Sequence, residues 1–531
     1  MDLERERTTS LLKKRADVAA IALIVLSLLR MMATFTLYSA TVDEPMHISA
    51  SLQLYAAHDY TYQPENPPLP RVIFGLAPWL GGMKFDPTIK MEEQLQRVFY
   101  SNDRYRTNLV LARVGNLVFF TLAALATWWW GRRELGATGG LLTAALFTLQ
   151  PIVVGYSGLT THDGPATAGV AIALLAFLRW MDVPSTRRAI VFGVAYAIAV
   201  LCKFSCAGYV PLACLAMYLV RCIRDAETRA AWRRIVPSFL AAFVTLLVMI
   251  WAGYAFTMDR VEMLEGVRDI LGTGAVARFV TEHPKWALPA PMFWMGVGGL
   301  IRFDRLDFYG ILFGEVKARG WWYYFPIAVA LKSTLASLLL ALGALFARRM
   351  RAAGEALAAA LVILALSMTS HLDLGVRYVL PMYVPLSVAG AAAALAMFRH
   401  HRLRIAAYAL VAWHVVASLT AIPDAFPYFN EIAARRPWVY LVDSNIDWGQ
   451  DILRLKQVLR EKKVDRVGLA AMGWNDWDAL RFPPHYELQR DAPSQGWAAV
   501  SEHLYWFVGY RWLHGRRYER VGKSIRLYYI P

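Results

Sequence analysis

The chain has 531 residues, 57% of them hydrophobic and only 18% charged, with a mean hydropathy of +0.36. This composition excludes an ordinary soluble protein, because several apolar runs reach the roughly 20 residues that cross a bilayer. The net charge of +16 does not point to nucleic acid, since the basic residues sit mainly in short loops between apolar runs, where membrane topology accounts for them.

The N-terminus "MDLERERTTSLLKKRAD" is basic and leads into a long apolar run without a small-x-small cleavage site, so it reads as an uncleaved first helix. In chain order, eleven membrane segments are predicted near 16–38, 107–130, 138–158, 164–180, 188–202, 206–221, 235–256, 322–346, 355–371, 376–398 and 405–421. One set of connecting loops carries most of the Lys and Arg, including Lys13, Lys14, Arg132, Arg133, Arg187, Arg188, Arg224 and Arg402. The short loops of the other set hold little beyond Lys203 and Arg377. That alternation predicts an inner N-terminus, an outer C-terminus and an odd number of spans. Cys202, Cys206, Cys214 and Cys222 lie in or beside two adjacent segments, so no disulfide framework or zinc site is expected.

Three long stretches then face outward: 39–106, 257–321 and 422–531. The membrane unit is 1–421, and 422–531 reads as a small α/β domain. Within that domain "WVYLV" is expected as a strand, "GQDILRLKQVLREKK" as an amphipathic helix and "VDRVGLAAM" as a second strand. "DSNIDWGQD", 443–451, has alternating acids that superficially suggest a calcium loop, but it lacks the Gly and distal Glu at their required places. A turn leading into an N-capped helix is the simpler reading. Trp474 and Trp477 suit either sugar stacking or a core.

The residues able to do chemistry gather on the outward side. Asp43 and Glu44 follow the first segment in "TVDEPMH". In "QPENPPLPR" the prolines are expected to preclude a regular helix and to set Glu65 and Asn66 in a rigid turn. His162 and Asp163 occupy "TTHDG", Lys203 lies in "CKFS", Arg377 opens "GVRYVLP", and Arg113 falls inside the second segment. Taken singly, Asp43 and Glu44 could be solvated or cap a helix, and Lys203 and Arg377 could snorkel to headgroups. Arg113 needs a buried partner or a polar cavity. Taken together, acids and bases at one membrane face suit a substrate with a lipid tail and an anionic head. A sugar on a lipid phosphate fits: cations neutralise the leaving phosphate, and one carboxylate takes the proton of an acceptor hydroxyl.

These same residues carry a family resemblance. "TVDEPMH…LYAAHDYTYQPENPPLPR" resembles the first external loop of GT-C glycosyltransferases, and most of all family 39, the protein O-mannosyltransferase-like and aminoarabinose transferase-like bacterial enzymes. Where that family has a His-Pro-Pro-Leu-like turn, this chain has Asn66-Pro67-Pro68-Leu69. "LARVGN", "LQPIVVGYSGLTTHDGPATA", "LCKFSCAG", "FYGILFGEVKARGWWYYFPIAVALKSTLA", "GVRYVLPMYVPL" and "YFNEIAARRPWVYLVDSNIDWGQDILRL" resemble later family blocks, and together they cover most of the chain.

The resemblance implies a polytopic α-helical GT-C fold and an inverting glycosyltransferase that uses a polyprenyl-phosphate sugar donor at the outer face. By that carry-over Asp43, Glu44 and Asp163 are the catalytic acids, and Lys203, Arg113 and Arg377 bind phosphate or shape the cavity. Glu65, Asn66, His162 and Tyr309 are further cavity candidates. No obligatory metal is expected, although these acids leave room for Mg2+, Mn2+ or Ca2+. The expected acceptor is a protein, lipid or glycan, and the expected location is the bacterial inner membrane with a periplasmic C-terminal domain. A transporter or flippase of lipid-linked sugars would instead place ionisable residues near the midplane on repeated, broken helices. A non-catalytic scaffold would not need the Asp43–Glu44 pair.

Overall fold

The computed structural model describes residues 2–230, 232–260, 282–283, 285–347 and 350–531. Each of the eleven predicted segments falls on helix, and the chain is a polytopic helical bundle with a small mixed domain at its C-terminal end. By length and apolar composition, six described helices qualify as spans, or seven if one bent pair is counted. Thr186–Cys202, Arg351–Ser367 and Arg404–Thr420 are shorter, at 17 residues each.

The long helical run Tyr105–Thr148 breaks at Gly136, where φ is 78°, a value that glycine adopts at little cost. Gly131 and Thr143 meet across that break, so the run is a hairpin; its first leg matches the predicted segment 107–130, while the predicted segment 138–158 is split between the second leg, ending at Thr148, and the separate helix Pro151–Ser157. The predicted span 322–346 needs correction. It is two helices, Tyr324–Lys332 and Leu335–Gly343, bent by 113°. The reason is local: Asn430 Nδ2 donates to the carbonyls of Ala330 (2.6 Å) and Ser333 (2.9 Å), and Thr334 Oγ1 caps the second helix by accepting from Ser337 N. Backbone groups freed by a break inside a bundle must find such partners.

The first long loop carries three α-helices, Asp43–Ala57, Pro68–Leu80 and Met91–Arg97, and a short 3-10 helix, Val98–Asp103. Asp43–Ala57 begins with the acidic pair. Pro68–Leu80 starts inside the proline run, contrary to the expectation of no regular helix there. Pro67 is the extended N-cap residue and Pro68 opens the first turn, where a missing N–H costs nothing. The turn before it is present, with Asn66 N donating to Gln63 O at 3.0 Å.

The middle of the 257–321 stretch lies outside the described residues. Its flanks form a short strand pair, Met258–Arg260 with Ala287–Pro289, the helix Pro291–Arg305, and the hairpin Tyr309–Leu312 with Glu315–Ala318. In the C-terminal domain a five-stranded sheet runs His485–Glu487, Val467–Ala470, Gly496–Ser501, Ile525–Ile530, Glu519–Val521 from edge to edge. Helix Ile452–Glu461 lays Ile452, Leu455 and Leu459 on the sheet residues Val467, Ile525 and Leu527. That spacing is one apolar helical stripe, as predicted. "WVYLV" is not a sheet strand: Pro437–Tyr440 is a short helix, and Leu441 makes only an isolated bridge to Leu312. Its proline supplies the first helical turn instead of a ladder N–H.

Candidate active site

The two adjacent acids of the first loop have different fates. Glu44 is sealed, and its carboxylate meets Arg113 through two parallel bonds, Nε to Oε1 at 2.8 Å and Nη2 to Oε2 at 2.6 Å. Glu44 also accepts from the backbone N–H of Thr41 and Thr160. Burial pushes its carboxyl up, but Arg113 and these two N–H groups outweigh that and hold it below the usual range.

Arg113 has five N–H donors and uses all of them: two on Glu44 and three on the carbonyls of Phe35, Tyr38 and Ser39, just past the end of the first helix. Of the two roles expected for Arg113, phosphate ligand or a salt bridge that shapes the cavity, the geometry favours the salt bridge, with Glu44, expected beside Asp43 as an acid of the site, as its partner. Both are fully satisfied inside the protein and tie the first helix, the first loop and the second segment together.

Asp43 faces the other way and its side chain is 23% exposed. Arg377 Nη1 donates to its Oδ2 at 2.7 Å, and the same nitrogen lies 3.7 Å from Asp163 Oδ2. Lys203 Nζ donates to Asp163 Oδ1 at 2.5 Å. Asp43, Arg377, Asp163 and Lys203 thus form one alternating chain of charge, assembled from the first loop, the 160–164 turn, the 202–205 turn and the start of the segment after Gly375. Asp163 is buried between the two cations, so it orients them and is less available to substrate than Asp43. Arg377 keeps a buried Nε without a partner, and Lys203, at 19% side-chain exposure, has donors left over after Asp163. The Tyr378 ring lies under both cations, 4.4 Å from Lys203 Nζ and 5.2 Å from Arg377 Cζ.

His162 stands beside this chain, its ring 4.6 Å from that of His47. Both are buried with Nδ1 unpartnered. Burial, then His47, Lys203, Arg71 and Arg377, press the His162 imidazole well below its usual value, so it is neutral. The charges acting on it identify a residue that the sequence reading passed over. Arg71 is 1% exposed, sits 4.0 Å over the Tyr60 ring and donates to Gln63 O, while its Nε and Nη1 have no partner. Its signal was legible: it is a lone cation in the otherwise apolar helix "PLPRVIFGLAPWL". Buried donors left open in this way mark a place where a polar ligand or water belongs.

Other candidates are not brought into this cluster. Glu65 and Asn66 stay in their half-buried turn, with Glu65 against the helix Pro291–Arg305 near Gly299. Tyr309 is 48% exposed and packs edge-on against Phe507 of the C-terminal domain, 5.8 Å between ring centres. Asp443, Asn445, Asp447 and Asp451 do not converge on a common point as calcium ligands would. Asp443 lies 3.5 Å from His503, Asn445 binds Val376 N and Tyr324, Asp447 accepts from His503 N, and Asp451 accepts from Lys523 N and Ser524. Asp451 makes no capping bond to its own helix, as that expectation required. Among the described residues no group of three or more His, Cys, Asp and Glu has the geometry of a metal site.

Residues 106–254 match the family model of the dolichyl-phosphate-mannose-protein mannosyltransferases, in keeping with the family resemblance read from the sequence. That stretch contains Arg113, His162, Asp163 and Lys203. No curated protein matches the chain. Among solved structures, ArnT from Cupriavidus metallidurans bound to undecaprenyl phosphate is similar over 96% of this chain and 97% of its own, at 11% identity and a TM-score of 0.33. The archaeal oligosaccharyltransferase AglB from Archaeoglobus fulgidus, in complex with an inhibitory peptide and a dolichol-phosphate, is similar over 89% of this chain and 62% of its own, at 13% identity and a TM-score of 0.44. This chain thus spans less than two thirds of AglB.

Proposed function

We propose that the chain is an integral-membrane glycosyltransferase that moves a sugar from a polyprenyl-phosphate donor to an acceptor hydroxyl. The observation that carries this is the Asp43–Arg377–Asp163–Lys203 chain, in which one reachable carboxylate stands beside cations with unspent donors. In the step, the acceptor oxygen forms a bond to the sugar's anomeric carbon while the bond from that carbon to the phosphate oxygen breaks. The bonding pair leaves on the phosphate, and the acceptor proton passes to Asp43. Lys203, Arg377 and Arg71 hold the growing phosphate charge, which removes the need for a general acid. A single displacement inverts the anomeric centre.

Asp163 is the anion that keeps Lys203 and Arg377 from repelling one another. The site works without an obligatory metal, because the phosphate charge is met by side-chain cations. The catalytic face is extracytoplasmic in a bacterial inner membrane, with the N-terminus cytoplasmic, in accord with the loop charges. The acceptor is a protein, lipid or glycan. A flippase reading is disfavoured because the charges cluster at helix ends, not at mid-helix.

The test is a transfer assay on purified protein with a set of radiolabelled undecaprenyl-phosphate sugars and a membrane extract as acceptor source. Label should appear in an acceptor with stoichiometric release of undecaprenyl phosphate. Movement of intact donor across vesicles without cleavage would replace this reading with the transporter.

A further inference from the structure

The block "DSNIDWGQD" holds five buried polar residues, Ser444, Asn445, Asp447, Gln450 and Asp451, that the proposed chemistry does not use. Its backbone and side chains lie against the roots of both Asp43 and Arg377. Trp448 O accepts from Val42 N at 3.0 Å, one residue before Asp43. Asn445 Oδ1 accepts from Val376 N at 3.0 Å, one residue before Arg377. The Trp448 ring, 2% exposed, lies 4.3 Å from the Arg377 guanidinium carbon.

We propose that Asn445 and Trp448 are positioning residues that register Arg377 against Asp43 for the lipid phosphate. This rests on the reading of Arg377 as a phosphate ligand.

Each part of the clamp is itself fixed. Asn445 Nδ2 donates to Tyr324 OH at 2.7 Å and Val442 O at 3.0 Å, and its carbonyl accepts from buried Lys332 Nζ at 2.5 Å. Trp448 N donates to Gln450 Oε1 at 2.9 Å, and Gln450 O accepts from Ser39 N at 2.9 Å. Ser444 Oγ donates to Leu374 O beside Gly375, whose φ is 130° and where a Cβ would run into that hydroxyl. The Arg377 segment therefore cannot shift without moving the 443–451 block.

Stacking covers a face of the guanidinium and leaves its in-plane N–H groups for Asp43 and for an incoming anion. The vacant Nε is the donor so presented. An arginine on a flexible segment would be as charged, but would pay for its alignment at each binding event.

The experiment measures binding of undecaprenyl phosphate to the full chain in detergent, alongside thermal unfolding. Trp448→Leu should weaken binding about 10-fold, the size of a desolvated cation–π contact, and Trp448→Phe should restore most of it. Asn445→Ala should weaken binding to a similar degree. In an Arg377→Gln background neither change should cost more than about twofold, because the group they position is gone.

Equal losses with and without Arg377, or full binding in a folded Trp448→Leu or Asn445→Ala chain, would overturn the positioning role. If Arg377→Gln alone binds as tightly as the parent, the phosphate reading itself fails, which is a separate outcome. Should Trp448→Leu not fold, Asn445→Ala in the two backgrounds decides the matter.

Discussion

Glu44 and Arg113 form a closed pair, with both side chains at 0% exposure and every guanidinium donor occupied. The neighbouring Asp43 instead meets Arg377 at a partly open position. Removing one member of a sealed pair leaves the other charged and unpaired, at a cost of about 3–5 kcal/mol. Arg113→Ala or Glu44→Gln should therefore lower the thermal midpoint in detergent and the yield of monodisperse protein. A Glu44→Gln chain with parental stability would show that the pair is not structural.

Asp43→Asn keeps an acceptor for Arg377 and should leave the midpoint within a few degrees of the parent. Loss of a positioned base should lower transfer by about 10²- to 10⁴-fold, with binding of undecaprenyl phosphate retained. Initial rates with a competent donor check this. Parental rates in that variant would remove Asp43 from the reaction.

Arg71 leaves two buried nitrogens, Nε and Nη1, without partners. If those donors serve the phosphate, Arg71→Ala should weaken binding of undecaprenyl phosphate by about 10- to 100-fold, the range of a charge-assisted hydrogen bond. Arg71→Lys should recover part of it. An unchanged affinity in the alanine variant would confine Arg71 to packing on Tyr60.

Asp373 lies in the loop before Gly375, against Gly310 of the 309–318 hairpin and Gly320 just beyond it. Burial pushes its carboxyl up to about 7, against the Trp321 N–H and the Lys317 charge that pull it down. A carboxyl that holds its proton more tightly folded than unfolded gives stability that is complete below its unfolded value of 3.8 and lost as pH rises towards 7. The thermal midpoint should fall by several degrees across that window. Asp373→Asn should flatten this part of the profile. The same slope in the variant would place the titration elsewhere.

If, as proposed, cationic side chains rather than a bound ion meet the phosphate, exhaustive chelation should leave transfer within about twofold of the untreated protein. A large loss restored by Mg2+, Mn2+ or Ca2+ would overturn that part of the proposal.

The sequence by itself determined where most of the apolar membrane helices run, because a bilayer imposes a length and an apolar composition that can be read residue by residue, but not the loop helix Pro68–Leu80 or the break inside 324–343. It also brought Asp43, Asp163, Lys203 and Arg377 to the ends of helices, where loop charge and breaks in hydropathy are local signals. It could not decide between Asp43 and Glu44. Adjacent residues point about 100° apart on a helix, and which direction is sealed depends on Arg113, 69 positions away in the bond to Glu44. Nor could it show that Arg113 spends all its donors on carbonyls past the first helix, that Asn430 takes up the carbonyls at the break in 324–343, or that "DSNIDWGQD" grips the residues before both Asp43 and Arg377. Each of these is a pairing between distant segments. Pairing is chosen by the need to satisfy every buried polar group at once, and only the assembled tertiary structure meets that condition.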